Sequence, residues 1–369
     1  MSPRTLIDRV FDAFTRRLDG PLMVTLVVLA ALSLAVVYSA SGQSVDRTLG
    51  QARNFAVGLL VLWVAASIPP QQLMRLAIPV YIAGLALLIS VALFGEIRNG
   101  ARRWLNLGFI TIQPSEILKI GVPLLLAWYF HRKEEGLNLR DYALAGLILA
   151  LPTALIVRQP DLGTAVLIFS CGFFVIFLAG LSWKLLISGG IALLAALPFA
   201  WSMLHDYQRT RILTLIDPTT DPLGAGYHII QSTIAIGSGG IFGKGWLNGS
   251  QSQLDFIPER STDFILAVFG EEFGLVGLLL LLTLYMIIIG RGLMIAMNAP
   301  TTFSRLLGGA ITMTFFTYAF VNIGMVTGIL PVVGVPLPLV SYGGTAILSM
   351  FMGFGILMSI SMHKRLVST

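Results

Sequence analysis

Long uncharged apolar runs separated by short polar segments dominate this sequence. A bilayer core is spanned by about 20 apolar residues of helix, and stretches of that length recur along the chain. They predict ten membrane-spanning helices, over residues 21–42, 54–70, 74–94, 112–131, 142–157, 162–181, 185–203, 264–290, 306–329 and 339–362. The predicted fold class is an all-α integral membrane protein, with one polytopic membrane domain (21–369) and one large extracytoplasmic loop (204–262).

The basic residues predict the orientation of these spans. Thirteen Lys and Arg residues fall on the side of the two termini and six in the short loops opposite, which places both termini in the cytoplasm by the positive-inside rule. Within residues 1–20, apolar side chains recur at helical spacing opposite Arg9, Arg16 and Arg17. That pattern predicts a cytoplasmic juxtamembrane amphipathic segment, with a frayed tail as the alternative.

Composition excludes whole classes of function. Hydrophobic residues make up 56% of the chain and charged residues 11%, against about 25% charged in a typical soluble protein. A soluble enzyme and a nucleic-acid-binding protein are therefore excluded, and the net charge of +6 belongs to loops and headgroups. The single cysteine, Cys171, and four scattered histidines predict neither a disulfide framework nor a zinc site. No metal-binding motif is evident.

Charged residues near the outer ends of the spans are the first candidates for chemistry. Arg102 and Trp104 precede the fourth span, whose first turns carry Glu116 and Lys119 on one face. A charge within the bilayer should face a wet cavity or a partner, so these two either serve a site or form a structural pair. Asp161, between the fifth and sixth spans, either belongs to the same site or caps a helix.

The large outer loop and the residues after it hold further candidates. Arg209 and Arg211 are candidates to clamp a phosphate bidentately, and Lys244 lies in a glycine-rich stretch whose spacing is not that of a Walker A motif. Asp263 opens the eighth span as a carboxylate base or, like Thr262, as a helix cap. The deeper pair Glu271 and Glu272 requires a cavity, a proton or a basic partner. Ser341 lies in the last outer loop, where three prolines interrupt the helix.

Taken in order, these motifs resemble those of the SEDS family of shape, elongation, division and sporulation proteins. The stretches that carry the resemblance are Gly100-Ala-Arg-Arg-Trp104, Gln113-Pro-Ser-Glu-Ile-Leu-Lys119, Gln159-Pro-Asp-Leu-Gly-Thr164, Gly237-Ser-Gly-Gly240, Phe256-Ile-Pro-Glu259, Thr262-Asp-Phe264 and Pro338-Leu-Val-Ser-Tyr-Gly-Gly344. Leu254-Asp-Phe-Ile-Pro258 is more similar to the elongation member than to the division member. Ser261 stands where many relatives carry His, so any role of that His cannot be transferred.

The resemblance implies a SEDS-type fold and a peptidoglycan glycosyltransferase that polymerises lipid II outside the bacterial inner membrane during cell elongation. It implies that Asp263 is the essential acidic residue, that a class B penicillin-binding protein supplies transpeptidase activity, and that the chain works within the elongation machinery. It leaves open whether a divalent cation, Mg²⁺ or Mn²⁺, assists.

The residues fit that chemistry. An inverting displacement needs one base for the acceptor hydroxyl and cations on the leaving pyrophosphate. We assign Asp263 as the base, and we assign to the binding of lipid II the polar residues Arg102, Trp104, Glu116, Lys119, Asp161, Arg209, Arg211, Lys244 and Ser341. The alternatives are a flippase or another carrier of lipid-linked precursors, since interrupted helices and buried charges also occur in carriers, and a scaffold that only recruits enzymes.

A partner's membrane helix is expected to pack against small residues. Such residues in the eighth and ninth predicted spans are Gly270, Gly274, Gly277, Gly308, Gly309 and Ala310. We therefore predict that the transpeptidase docks on these two spans and on the outer loop.

Overall fold

The computed structural model describes residues 18–98, 101–106, 111–133, 136–203, 209, 213–215, 217–220, 224–254 and 256–363. Every predicted span is a helix. They are α1 (Gly20–Ala40), α2 (Val45–Ser67), α3 (Pro70–Phe94), α4 (Pro114–Arg132), α5 (Leu139–Arg158), α6 (Leu162–Leu178), α7 (Trp183–Met203), α10 (Ile265–Met297), α11 (Thr302–Val326) and α12 (Gly344–Met362). The predicted amphipathic segment falls almost wholly on residues 1–17, and these, like Arg211, lie outside the described residues.

Length and composition confirm the membrane fold. Among the described residues, seven helices are long and apolar enough to cross a bilayer, namely α1, α2, α3, α5, α10, α11 and α12. Helix α6 and the apolar part of α7, Trp183–Phe199, are shorter. Helix α4 has 19 residues and carries Glu116 and Lys119 in its first two turns. The protein is therefore an all-α, multi-pass membrane protein.

Within the described residues, three short strands, two further α-helices and one 3-10 helix (Pro218–Thr220), all at one end of the bundle, were not predicted. The strands β1 (Glu96–Arg98), β2 (Ala101–Asn106) and β3 (Thr111–Ile112) form an antiparallel sheet in the order β1-β2-β3. The large loop contains α8 (Ala225–Gly239) and α9 (Ser250–Gln253). The end that carries these elements and the connections 159–161 and 327–343 is called the outer end, after the predicted orientation.

The helices differ sharply in how much of their surface meets protein. Helices α11 and α12 run through the core: in the most apolar 18-residue stretch of each, 72% and 67% of the residues are buried. Helix α7 is the opposite case, because none of its described side chains is buried. Large apolar side chains such as Ile191 and Leu194 are 62% and 66% exposed. In a membrane protein such surface faces lipid.

Helix α10 is interrupted at Gly274, where the backbone has φ +64° and ψ −162°. The glycine-rich segment, residues 237–249, docks on this break through main-chain hydrogen bonds, including Gly245 N to Glu272 O at 2.9 Å and Leu275 N to Gly240 O at 3.0 Å. A Cβ on Gly274 would lie 2.3 Å from the nitrogen of Gly243. Glycine is required at Gly274 both by its φ and by this close approach.

Candidate active site

Asp263 lies in the turn that precedes α10. The helix begins at Ile265, and its N-cap, Phe264, makes no side-chain capping bond. The prediction that Thr262 or Asp263 caps this helix is therefore wrong, because the chain turns for two more residues before the helix begins. Thr262 Oγ1 instead donates to Glu259 Oε2 at 2.8 Å.

Asn322 of α11 fixes the main chain of this turn. The residue is fully buried, and its Nδ2 donates to the carbonyl oxygens of Asp263 at 2.8 Å and Val335 at 2.7 Å. One side chain thereby ties the turn to the proline-rich loop, residues 330–343. Because both bonds are buried, losing them would leave two carbonyls unsatisfied.

The proline-rich loop also binds the turn directly. Ser341 Oγ donates to Thr262 O at 2.6 Å, and Tyr342 N donates to Ser261 O at 2.9 Å. The loop is held from below by Gln51 of α2, which is fully buried and donates to Ser341 O at 3.0 Å. Ser341 therefore acts on the turn from within the fold, and its predicted contact with substrate stays a prediction.

The surroundings of Asp263 favour its neutral form. Burial raises the pKa of its carboxyl group to about 6, the negative charge of Glu259 adds to the rise, and Arg103 opposes it. Gly334 of the proline-rich loop lies against the carboxylate, and a Cβ there would stand 3.4 Å from Asp263 Oδ2. With φ at +70°, this position favours glycine.

Arg103 and Asp161 face each other beside this turn. Arg103 Nε lies 3.3 Å from Asp161 Oδ2, and its Nη2 donates to Pro160 O at 3.2 Å. Asp161 also caps α6, since its Oδ1 accepts from Thr164 N at 3.1 Å. The two interpretations of Asp161 are therefore compatible: it caps a helix and holds a cation near Asp263.

Glu116 and Lys119 form the predicted pair, with Lys119 Nζ 2.6 Å from Glu116 Oε1. The pair is embedded in a wider network. Lys119 also donates to the hydroxyl of Tyr318, and Ser349 Oγ donates to Glu116 Oε2 at 2.6 Å. Tyr318 packs in a buried cluster with Val335 of the proline-rich loop. The network thus joins α4, α11 and α12 and reaches the same loop that contacts Asp263.

The structure does not bring all the predicted residues together. Lys244 binds the fully buried Glu271 at 2.7 Å, so it neutralises one of the two deep carboxylates. Arg209 donates to the carbonyl oxygens of Trp201 and Ser202 at the end of α7. The roles predicted for Lys244 and Arg209 in substrate binding stay predictions.

Two more of the predicted residues lie in strand β2. Trp104 is half-buried, and the side chain of Arg102, like the whole of Arg211, lies outside the described residues. The backbone of Arg102 pairs with Ile97, and that of Trp104 with Glu96.

Sequence reasoning missed Arg103, Glu259, Asn322 and Gln51. Asn322 carried a usable signal, because it is an amide within an uncharged span, and polar groups in spans mark functional or structural contacts. Arg103 could have been chosen over its neighbour only with the register of β2 known. Within the described residues, no three His, Cys, Asp or Glu side chains gather as metal ligands.

The glycines predicted to receive a partner helix face this chain instead. A Cβ on Gly309 would lie 2.5 Å from Leu178 of α6, and one on Gly277 would lie 2.3 Å from Phe273. A Cβ on Gly270 or Gly308 would also meet the chain's own side chains within 3.4 Å. The prediction for these glycines is therefore wrong, because close packing within the bundle already uses them.

Comparisons with known proteins identify relatives of this chain. A model of the FtsW/RodA/SpoVE family, described as cell cycle proteins, matches residues 20–366. The peptidoglycan glycosyltransferase MrdB of Escherichia coli K12 is 52% identical over 355 residues, covering 95% of each chain. MrdB of Helicobacter pylori 26695 is 36% identical over 343 residues, covering 90% of this chain and 87% of the relative.

Solved structures agree with the fold. A chain of a peptidoglycan synthase complex superposes with a TM-score of 0.82 at 32% identity, covering 95% of this chain and 99% of that one. The rod shape-determining protein RodA of Thermus thermophilus superposes with a TM-score of 0.72 at 29% identity, covering 95% and 98%.

Proposed function

The chain belongs to the FtsW/RodA/SpoVE family of cell cycle proteins, and from that premise we propose its activity and its mechanism. It is a peptidoglycan glycosyltransferase that polymerises lipid II into β-1,4-linked glycan strands during cell elongation. The observation that carries this conclusion is the 52% identity to a protein of that name over 95% of both chains. A flippase or a scaffold, the alternatives raised by the sequence, has no comparable support.

Asp263 is the general base. The acceptor hydroxyl oxygen attacks the anomeric carbon of the donor sugar, and the bond from that carbon to the pyrophosphate oxygen breaks. The hydroxyl proton passes to a carboxylate oxygen of Asp263, and the polyprenyl pyrophosphate leaves with the bonding electrons. A base is most effective when its pKa lies near the working pH, and burial brings that of Asp263 to about 6.

Cations near the turn stabilise the leaving group. Arg103 lies close enough to Asp263 to lower its pKa, and its guanidinium is held by Asp161. A fixed guanidinium binds phosphate oxygens in a planar fork. Lys119, placed by Glu116 and Tyr318, is the deeper cation. Preorganised positive charge of this kind lowers the barrier because no side chain must reorient during the reaction.

The test is polymerisation of lipid II by the purified protein in detergent. Asp263→Asn keeps the shape of the side chain but removes the base, and we expect the rate of glycan synthesis to fall at least about 10²-fold. Asp217→Asn is the matched control, because Asp217 is an exposed carboxylate of the same outer loop that accepts from Thr219 and has no assigned part in the reaction. If well-folded Asp263→Asn polymerises at the rate of the control, Asp263 is not the base.

A class B penicillin-binding protein is the proposed partner, within the elongation machinery of the inner membrane and with both termini of this chain in the cytoplasm. This partner is supported by one structural relative, which is a chain of a peptidoglycan synthase complex. We place the partner's helix on the lipid-facing side of α10, beside α11. There Leu279 and Met286 are 53% and 63% exposed.

Site-specific crosslinking tests this placement. Photoreactive residues at Leu279 and Met286 should capture the transpeptidase in membranes, whereas Leu60 of α2, which is 61% exposed, is the control position. Capture at Leu60 without capture at α10 would contradict the docking site.

Gly309→Leu should lower the thermal stability of the isolated chain, since the new side chain collides with Leu178.

A further inference from the structure

A cavity opens at the end of the bundle opposite Asp263. It measures about 540 Å³ and lies where α4 and α6 end and α11 begins. Apolar and basic side chains share its lining. The apolar ones are Phe130, Leu137, Ala179 and Leu306, and the basic ones are His131, Lys133 and Arg305.

The depth of this cavity follows from the length of α4. The helix runs 19 residues from Pro114 to Arg132, which is about 28 Å at 1.5 Å per residue. That distance is close to the thickness of a bilayer's hydrocarbon core, roughly 30 Å. The cavity therefore lies level with the lipid headgroups on the side away from the active site, between the ends of three spans.

Its basic groups are placed to receive an anion. Arg305 is exposed and makes a weak bond, 3.4 Å, to Thr302 Oγ1. Lys133 is 52% exposed and lies 3.2 Å from Asp141 Oδ1, the acid that faces it from α5. The cavity also borders the first turn of α11, capped by Thr301, where the helix dipole favours negative charge.

We propose that this cavity binds the phosphate headgroup of an anionic phospholipid. Basic pockets between the ends of membrane helices bind such headgroups. The lining offers cations for the phosphate and the half-buried Leu137 and Ala179 for the glycerol. The volume far exceeds the roughly 30 Å³ of one water. The bound lipid braces α4 and α11, the helices that carry Lys119 and Asn322 at their other ends.

The experiment measures lipid retention by the purified full-length protein. The protein is delipidated in detergent, titrated with phosphatidylglycerol or phosphatidylcholine, and its bound lipid is counted by native mass spectrometry. For the double variant Lys133→Gln with Arg305→Gln, we expect affinity for phosphatidylglycerol to fall about 30-fold, at about 1 kcal/mol for each basic residue. Arg132→Gln is the matched control, because that guanidinium stacks on Trp128 at 4.8 Å and does not line the cavity.

Each outcome bears on the site. Selective binding of phosphatidylglycerol that the double variant loses and the control keeps supports it, and Arg305→Lys should retain most of the affinity. Equal loss in the control would mean diffuse surface attraction and overturn the proposal. Displacement of the lipid by millimolar inorganic phosphate, with equal stabilisation by phosphate alone, would mean a site for a small anion.

Discussion

The acid limb of the pH–rate profile is the sharpest test of the electrostatics around Asp263. A general base works only when deprotonated, so polymerisation should be lost as pH falls through the carboxyl pKa. Burial and Glu259 raise that pKa from 3.8 to about 6. One unit below this value, about a tenth of the carboxyl groups are ionised, and the rate falls about tenfold for each further unit. An unshifted carboxyl would be almost fully ionised there.

Glu259→Gln isolates the electrostatic part of this shift. The substitution keeps the side chain's size and its ability to accept from Thr262, but removes the negative charge that raises the pKa of Asp263. The midpoint of the acid limb should move to lower pH. Arg103→Gln removes the opposing positive charge, so its midpoint should move to higher pH, with a lower plateau if Arg103 also binds pyrophosphate.

The assay is the initial rate of lipid II polymerisation across pH, with Asp217→Asn as the control that should follow the wild type. Titration of the substrate's pyrophosphate would affect every variant alike, so the difference between variants reports on Asp263. A wild-type midpoint near 4, or a Glu259→Gln profile that coincides with that of the wild type, would refute the electrostatic argument. Shifts of the same sign in the Glu259 and Arg103 variants would refute it as well.

Three further predictions concern the supports of the site. Asn322→Leu removes the donors to Asp263 O and Val335 O without adding a charge. We expect kcat to fall at least about tenfold while the KM for lipid II stays the same, because two buried carbonyls without donors cost about 1–3 kcal/mol each and the turn that carries the base shifts; an unchanged kcat would contradict the positioning role. Lys119→Met should destabilise the fold by about 3–5 kcal/mol because it leaves the charge of Glu116 unpaired within the bundle. The double variant with Glu116→Gln should recover stability in thermal melts, and recovery of polymerisation as well would mean that the pair is only structural. Chelation with EDTA should slow polymerisation if Mg²⁺ or Mn²⁺ enters with the pyrophosphate, with restoration on adding back either ion, and a rate unaffected by EDTA would exclude that requirement.

The spans could be predicted because the bilayer imposes a length and a composition on them. No comparable constraint acts on the outer end. Helix α8 was missed because its sequence, Ala225–Gly239, mixes β-branched residues with three glycines, which lowers helix propensity. Contacts with α10 and α11, such as Ser232 Oγ to Val326 O at 2.8 Å, stabilise the helix despite that composition.

The sequence predicted the Glu116–Lys119 pair and named Asp263 as a candidate base, but it did not predict the charges around Asp263. Asp263 stands out in a sequence motif, but of the two charges that shift its pKa, Arg103 comes from a distant strand and Glu259 from four residues earlier. In a strand, neighbouring side chains point to opposite faces, so the choice between Arg102 and Arg103 depends on the register of β2. Likewise, the pairing of Lys244 with Glu271 depends on how the glycine-rich segment docks on the break in α10, which the spacing of residues does not specify.

The exposure of α7 has a consequence for which substitutions the protein tolerates. A buried helix is constrained by shape, so each exchange of one apolar residue for another in α11 changes a fitted contact. Every side chain of α7 from Ile187 to Phe199 is exposed instead, and membrane insertion depends on summed apolarity rather than order. We expect its apolar residues to be interchangeable, so that a library with Ile191, Leu194 and their neighbours permuted would support growth as well as the natural order does, while the same permutation in α11 would not. Natural variation along the chain should then be greatest in a helix rather than in a loop.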